Sequence, residues 1–193
     1  MTLPETPAYG DGWGSSIDIW PYVQPLIIAE FGVNACGLDV GCSTHKCAPW
    51  IIGLDTHRGE HGNPSRWLNP LVQGECVQLV GTATNLRWFA DGQLDFVFSS
   101  HCLEHMPRQE ALGLAIPEFL RVLKPGGLLF LYLPDGRRGH MSFHEWDPIP
   151  DEIMQAICPH CSEARLWFPH ETLPEHRVVR DMVFSFLVTA RKR

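Results

Sequence analysis

Asp39 and Asp55 each close a short apolar run, "CGLDV" and "WIIGLD", and the turn Gly41-Cys42-Ser43 follows the first. Carboxylates at the ends of neighbouring buried strands can accept hydrogen bonds from a ligand rich in hydroxyls and favour a positive charge on it. A glycine just past the first strand lets the chain bend sharply and brings backbone N–H groups close to such a ligand. Further on, Ser99, Ser100 and His101 follow another apolar run, "LDFVF". Histidine is the side chain best suited to move a proton near neutral pH. A glycine after a strand is commonly just a turn, so these residues do chemistry only if the fold brings them to one edge.

The elements that must do this alternate between short strands and connections. Residues 1–15 are rich in Gly and Pro and are expected to be a flexible lead, with 16–193 forming a single domain. In "SSIDIWPYVQPLIIAEFG" Ser15 or Ser16 offers an N-cap and Gly32 a stop, while Pro21 and Pro25 predict a broken helix or two short turns. "ACGLDV", "WIIGLD", "CVQLVG", "LDFVFSS" and "LLFLYLP" are expected strands, and 56–74 a long surface loop. Leu112, Ile116, Phe119, Leu120 and Leu123 recur at helical spacing, which predicts a helix that stops in Lys124-Pro125-Gly126-Gly127. A short helix near "PDEIMQAI" and strands near "ARLWF" and "MVFSFLVTA" complete the chain. The order indicates an α/β fold: a doubly wound, mostly parallel Rossmann-like sheet with an antiparallel C-terminal strand pair. Ligands of such sheets sit at the carboxyl ends of the strands.

The 193 residues, 45% hydrophobic and 19% charged, suit one globular core. A net charge of -7 argues against a broad nucleic-acid footprint, and the terminal "RKR" is read as a solvated tail. No run approaches the roughly 18 apolar residues of a membrane span. The opening segment lacks the basic start and apolar core of a secretory signal. Seven cysteines without signs of export point to free thiols in a reducing compartment, hence the cytoplasm.

Taken together, "GLDVGC", "GLD", "LVGTATNLRWFADGQLDFVFSSHCLEHM" and "FLRVLKPGGLLFLYLP" resemble the class I S-adenosylmethionine-dependent methyltransferases, over about residues 36–134. The resemblance implies a transferase that binds S-adenosyl-L-methionine and acts on a small or glycan-like acceptor. It places Asp39 and Gly41 under the methionine end of the cofactor and makes Asp55 the acceptor for the ribose hydroxyls. Thr82 and Ala83 fall where the adenine edge is read, and Ser99, Ser100 and His101 where methyl and substrate meet. Ser43 stands where the family usually has a second glycine, and Thr82 where it usually has an aspartate. The connection from Asp39 to Asp55 is too short for a full first helix. These departures keep open an alternative: a non-catalytic binding module that retains the fold and has lost the cofactor.

For transfer to a hydroxyl, His101 is the first candidate base, with His144 as the second. His105 is expected to pack at the start of a helix. The loop after the fifth strand supplies Asp135, Arg137, Arg138, His140, His144, Glu145 and Trp146. It reads either as the pocket for an anionic or hydroxyl-rich acceptor or as an ordinary solvated loop. No metal is expected. "CPHC", Cys158 to Cys161, has no second pair to complete a zinc site, and His140, His144 and Glu145 have no helical signals around them. "YGDGWGSS" follows no strand; Tyr9 and Trp13 could cover a ligand, or the segment is only a lead. The absence of a GxGxxG turn argues against a dehydrogenase.

Overall fold

A computed structural model of the chain describes residues 15–43, 46–56, 77–139, 142–178 and 180–193. The expected lead, with Tyr9 and Trp13, nearly all of loop 56–74, and His140 lie outside these residues. Seven strands form one sheet: β1 (Gly37–Val40), β2 (Ile52–Asp55), β3 (Leu79–Val80), β4 (Leu94–Ser100), β5 (Leu123–Pro134), β6 (Cys161–Trp167) and β7 (Ser185–Lys192). Their order is β3-β2-β1-β4-β5-β7-β6. β1 to β5 pair in parallel, and β7 runs antiparallel to both β5 and β6. This is the doubly wound α/β sheet with an antiparallel C-terminal pair that the sequence predicts. The strand order reverses beside β1 and β4, which puts the ligand-binding crevice of such a sheet at their carboxyl ends.

Both faces are covered. Leu129, Leu131 and Leu133 of β5 pack with Phe119 and Ile153 from helices on one side. Phe130 and Tyr132 point the other way, against Ile19, Trp20, Val23 and Ile27. Burial on both sides explains why β5 reads as a continuous apolar run rather than an alternating one.

Three expectations are corrected. Helix α1 (Ser15–Phe31) is continuous, with Pro21 and Pro25 inside it. Each proline removes one N–H donor, but neither is buried: Pro21 is half-buried and Pro25 exposed. The inner face buries Ile19, Val23 and Ile27 completely, and that packing outweighs two lost backbone bonds. Gly32 ends the helix as expected, with φ +79° and its N–H donating to Ile28 O at 2.9 Å.

Helix α2 (108–122) stops at Val122, before the Lys-Pro-Gly-Gly turn, and widens to a π turn at Ala111–Ala115. Pro117 has no N–H for the Gly113 carbonyl, and the Ile116 N–H reaches back to Ala111 O instead. Leu123 is already extended and pairs with Leu94, while Asp95 holds Lys124 Nζ at 2.6 Å. The turn is therefore part of β5. Finally, β3 has only two residues, and β7 begins at Ser185 because Met182 and Val183 lie in the single turn Arg180–Val183. Helix α3 (Pro150–Ile157) matches its expectation. The connection between β1 and β2 holds no helix among its described residues.

Candidate active site

The carboxyl ends of β1, β2, β3 and β4 open on a crevice of about 510 Å³. One wall is built from the first three strands. Gly41 turns the chain after β1 with φ +77°, and its N–H donates to Leu54 O at 2.8 Å. A Cβ at this position would lie 2.6 Å from the Cys102 Cβ, so glycine here also lets the turn after β1 meet the turn after β4. Ser43 follows at φ +45°, a left-handed conformation that a glycine adopts without cost. Its N–H donates to Asp55 Oδ2 at 2.9 Å, while Asp55 Oδ1 accepts from the Thr56 N–H at 2.7 Å. Asp55 thus closes the β1 turn and still faces the crevice. Thr82 and Ala83 line the same wall, and the hydroxyls of Thr82 and Thr84 lie 2.9 Å apart.

Asp39, Ser99 and Ser100 are not on the crevice surface but beneath it. Asp39 is 1% exposed, and its Oδ2 accepts from the Cys47 N–H at 2.8 Å. Burial pushes its carboxyl up to about 6. The Ser99 hydroxyl donates to Val40 O at 3.0 Å and stitches β4 to β1. Ser100 is buried beside it.

The second wall follows β4. His101 sits at φ +48°, with its N–H donating to Tyr132 O at 2.9 Å. A strained backbone of this kind is commonest at functional positions. Its Nδ1 lies 3.1 Å from Glu104 Oε1 and its Nε2 3.3 Å from Ser185 Oγ. Cys102 lines the crevice, but burial pushes its thiol up to about 12, so it stays protonated. His105, expected to pack at the start of a helix, ends the short turn Leu103–His105 and lines the crevice with its side chain 46% exposed.

Behind this wall stands Glu104, 0% exposed. The 3.1 Å approach of His101 is not aligned as a hydrogen bond, and both Glu104 carboxylate oxygens lack a hydrogen-bond donor. The segment 142–148 seals it from the rear. The Glu145 N–H donates to Glu104 O at 2.8 Å, and the buried Trp146 donates from Nε1 to Leu103 O at 2.9 Å. The His144 side chain is covered there, its ring edge-on to His105 at 5.3 Å, and desolvation pushes its pKa down. Ligand-capable atoms of Glu104, His105 and His144 lie within 4.8 Å of one another.

Structure therefore brings Gly41, Ser43, Asp55, Thr82, Ala83 and His101 to one crevice and sets His144 behind it. The loop read either as an acceptor pocket or as solvated surface packs into the core through Trp146, and Arg137 is taken up by a two-bond clamp on Asp135. Glu104 is the residue that sequence reasoning missed. Its signal is faint: a carboxylate between two histidines in "HCLEH", three positions after His101. Cys158 and Cys161 are free thiols at the end of α3 and the start of β6.

The methyltransferase-domain family matches residues 38–131, the stretch that builds both walls. This segment is a class I methyltransferase domain. No curated protein sequence matches the chain. Among solved structures it is similar to a protein of Pyrococcus horikoshii OT3, at 17% identity and TM-score 0.63, covering 97% of this chain and 94% of that one. It is also similar to an S-adenosylmethionine-dependent methyltransferase of Archaeoglobus fulgidus, at 15% identity and TM-score 0.59, covering 92% and 95%. A third is magnesium protoporphyrin IX methyltransferase of Synechocystis PCC 6803, solved with bound S-adenosylhomocysteine. It shows 14% identity and TM-score 0.57, covering 96% and 91%. At these identities the structures share the fold.

S-adenosylmethionine is the cofactor of this domain family, and the crevice suits it. Its volume lies in the range of small-molecule sites, and Asp55 and Glu110 line it. Among the described lining residues there is no Lys or Arg. Cationic side chains favour phosphates, whereas carboxylates favour a cationic nucleoside. The methyltransferase domain leaves this space open, and Ser43 borders the crevice without closing it. No helix among the described residues is long and apolar enough to cross a membrane.

Proposed function

We propose that the protein transfers the methyl group of S-adenosylmethionine to a hydroxyl of a small acceptor, such as a sugar or a hydroxylated metabolite. The observation that carries this reading is a strand-end crevice with an acidic residue on the β2 end and no cationic side chain among its described lining residues. Asp55 would hold the ribose hydroxyls, Thr82 and Ala83 the adenine edge, and the Gly41–Ser43 turn the methionine end, with Asp39 beneath holding the Cys47 N–H. When bound, S-adenosylmethionine supplies an electrophilic methyl group on a positively charged sulfur.

The chain's own residues would orient the acceptor and receive its proton. Alignment alone can contribute about 7–11 kcal/mol to such a displacement. In such a transfer the acceptor oxygen would gain the methyl as the methyl–sulfur bond broke, with the bonding pair left on sulfur, and the hydroxyl proton would pass to His101 Nε2. The Ser185 contact at that nitrogen is long enough to give way to a substrate. Glu104, with Oε1 3.1 Å from Nδ1, would balance the charge the ring acquires. His144 is a positioning residue behind His105 and does not meet the acceptor.

Calorimetry with S-adenosylhomocysteine should show saturable binding at one site. Tritium transfer from labelled S-adenosylmethionine to a panel of sugars should fall at least about 100-fold in His101→Ala with cofactor affinity retained. A flat calorimetric trace would overturn the reading.

A further inference from the structure

We infer that Glu104, His105 and His144 form a binding site for a divalent transition ion of the zinc class at the edge of the crevice. Three independent features meet there. The first is the donor set. Two imidazoles and one carboxylate place ligand-capable atoms within 4.8 Å of one another. Zinc ligands arranged tetrahedrally sit about 3.4 Å apart, so a small closure completes the set. His105 can supply that closure, because its side chain is 46% exposed and its Nε2 already lies 3.9 Å from Glu104 Oε1.

The second feature is the unmet demand of Glu104. Its side chain is 0% exposed and neither oxygen has a hydrogen-bond donor. Burying a carboxylate without donors is costly, and such groups in proteins are paired or hold a metal. Its described neighbours are imidazoles: His101 Nδ1 at 3.1 Å, His105 Nε2 at 3.9 Å, and the His144 ring. Arg108, the nearest arginine in sequence, is occupied by Glu152 at 2.8 Å. An ion shared with two neutral rings would satisfy the carboxylate without protonating either.

The third feature is the shell. Phe143 stacks on His105 with centroids 6.0 Å apart and ring planes 16° from parallel, and Trp146 is buried behind. His144 Nδ1 lies 3.6 Å from Asp147 Oδ1, placing a carboxylate behind a ligand histidine, as in many metal sites. Nitrogen donors favour zinc, cobalt or nickel over magnesium and calcium. Because His105 lines the crevice, the fourth position of the ion faces the space where an acceptor would lie. A hydroxyl bound there would lose its proton more readily. The site itself does not depend on the methyl-transfer reading.

The test is titration of the chelator-treated full chain with Co²⁺, followed by visible absorption, and with Zn²⁺ by calorimetry. One equivalent should bind, with the intense bands of four-coordinate cobalt, and Mg²⁺ should not compete. Glu104→Gln and His105→Ala should each weaken Zn²⁺ binding at least about 100-fold. His105 is half exposed, so its variant is expected to fold even if the Glu104 change unfolds the chain. Cobalt absorption of the aqueous ion, or zinc affinity unchanged in His105→Ala, would overturn the site. Zinc binding abolished only by Cys158→Ser and Cys161→Ser would do so too. S-adenosylhomocysteine titration of the same samples separates this outcome from failure of the methyltransferase reading.

Discussion

The two walls of the crevice are built on different principles. The wall at β1–β3 is made by near neighbours: Ser43 and Asp55, 12 positions apart, close the turn through one backbone-to-carboxylate bond. The wall after β4 is made by distant ones. Trp146 reaches Leu103 across 43 positions, and Ser185 reaches His101 across 84. The first wall is polar, open and held by backbone geometry. The second encloses a fully buried carboxylate among histidines, with its support lent by a loop from beyond β5. A wall of the first kind suits a cofactor whose shape is fixed. A wall of the second kind can vary with its loop, which is where acceptor specificity is free to change.

The sharpest way to break this division is to load each wall separately. Asp55→Ala removes the charge that would accept two hydroxyl hydrogen bonds and should weaken S-adenosylhomocysteine binding by about 1,000-fold, or about 4 kcal/mol, by calorimetry. Glu104→Gln should leave that affinity within about threefold while methyl transfer falls at least about 100-fold. Equal losses of cofactor affinity in both variants would mean that the walls are not separate.

The next effect concerns the floor of the cofactor wall. The Asp39 carboxyl is raised from 3.8 to about 6 by burial, so the folded chain binds its proton more tightly than the unfolded one. Its contribution to stability is complete below pH ~4 and is lost as pH rises through ~6, an effect of up to about 3 kcal/mol. Urea denaturation between pH 4 and 7 should show this decline in the wild type and not in Asp39→Asn. A decline retained in the variant would assign it to another group.

The smallest effect is at Ser43. Its φ of +45° carries a side-chain penalty that glycine lacks. Ser43→Gly should therefore raise stability by up to about 1 kcal/mol and tighten S-adenosylhomocysteine binding severalfold. Weaker binding in this variant would show that the serine hydroxyl contacts the ligand.

How far the sequence could be read follows the same split. The sheet, its antiparallel close, α3 and the strand-end positions of Asp55 and Gly41 were legible, because each depends on a short stretch of apolar pattern or turn chemistry. The continuity of α1 was not, since two prolines argue locally against a helix that four buried side chains hold together from afar. The end of α2 was misplaced because Lys124-Pro125-Gly126-Gly127 reads as a stop whether it follows a helix or lies inside a strand. Pairing of Leu123 with Leu94 decides between them. Asp39 and the two serines that end β4 looked like ligand contacts, yet side-chain direction puts them under the crevice.

By itself the sequence determined which segments are strands, that they make a doubly wound sheet closed by an antiparallel pair, and that a carboxylate and a glycine bend would share one strand edge. Periodicity and turn residues act over a few positions, and those positions are adjacent in the text. Only the tertiary structure decided that Glu104 is buried, that His105 faces the crevice and His144 stands behind it, and that Trp146 belongs to the core. Burial and the direction of a side chain are properties of what packs around it, and here the packing partner is a loop entering from the far side of β5.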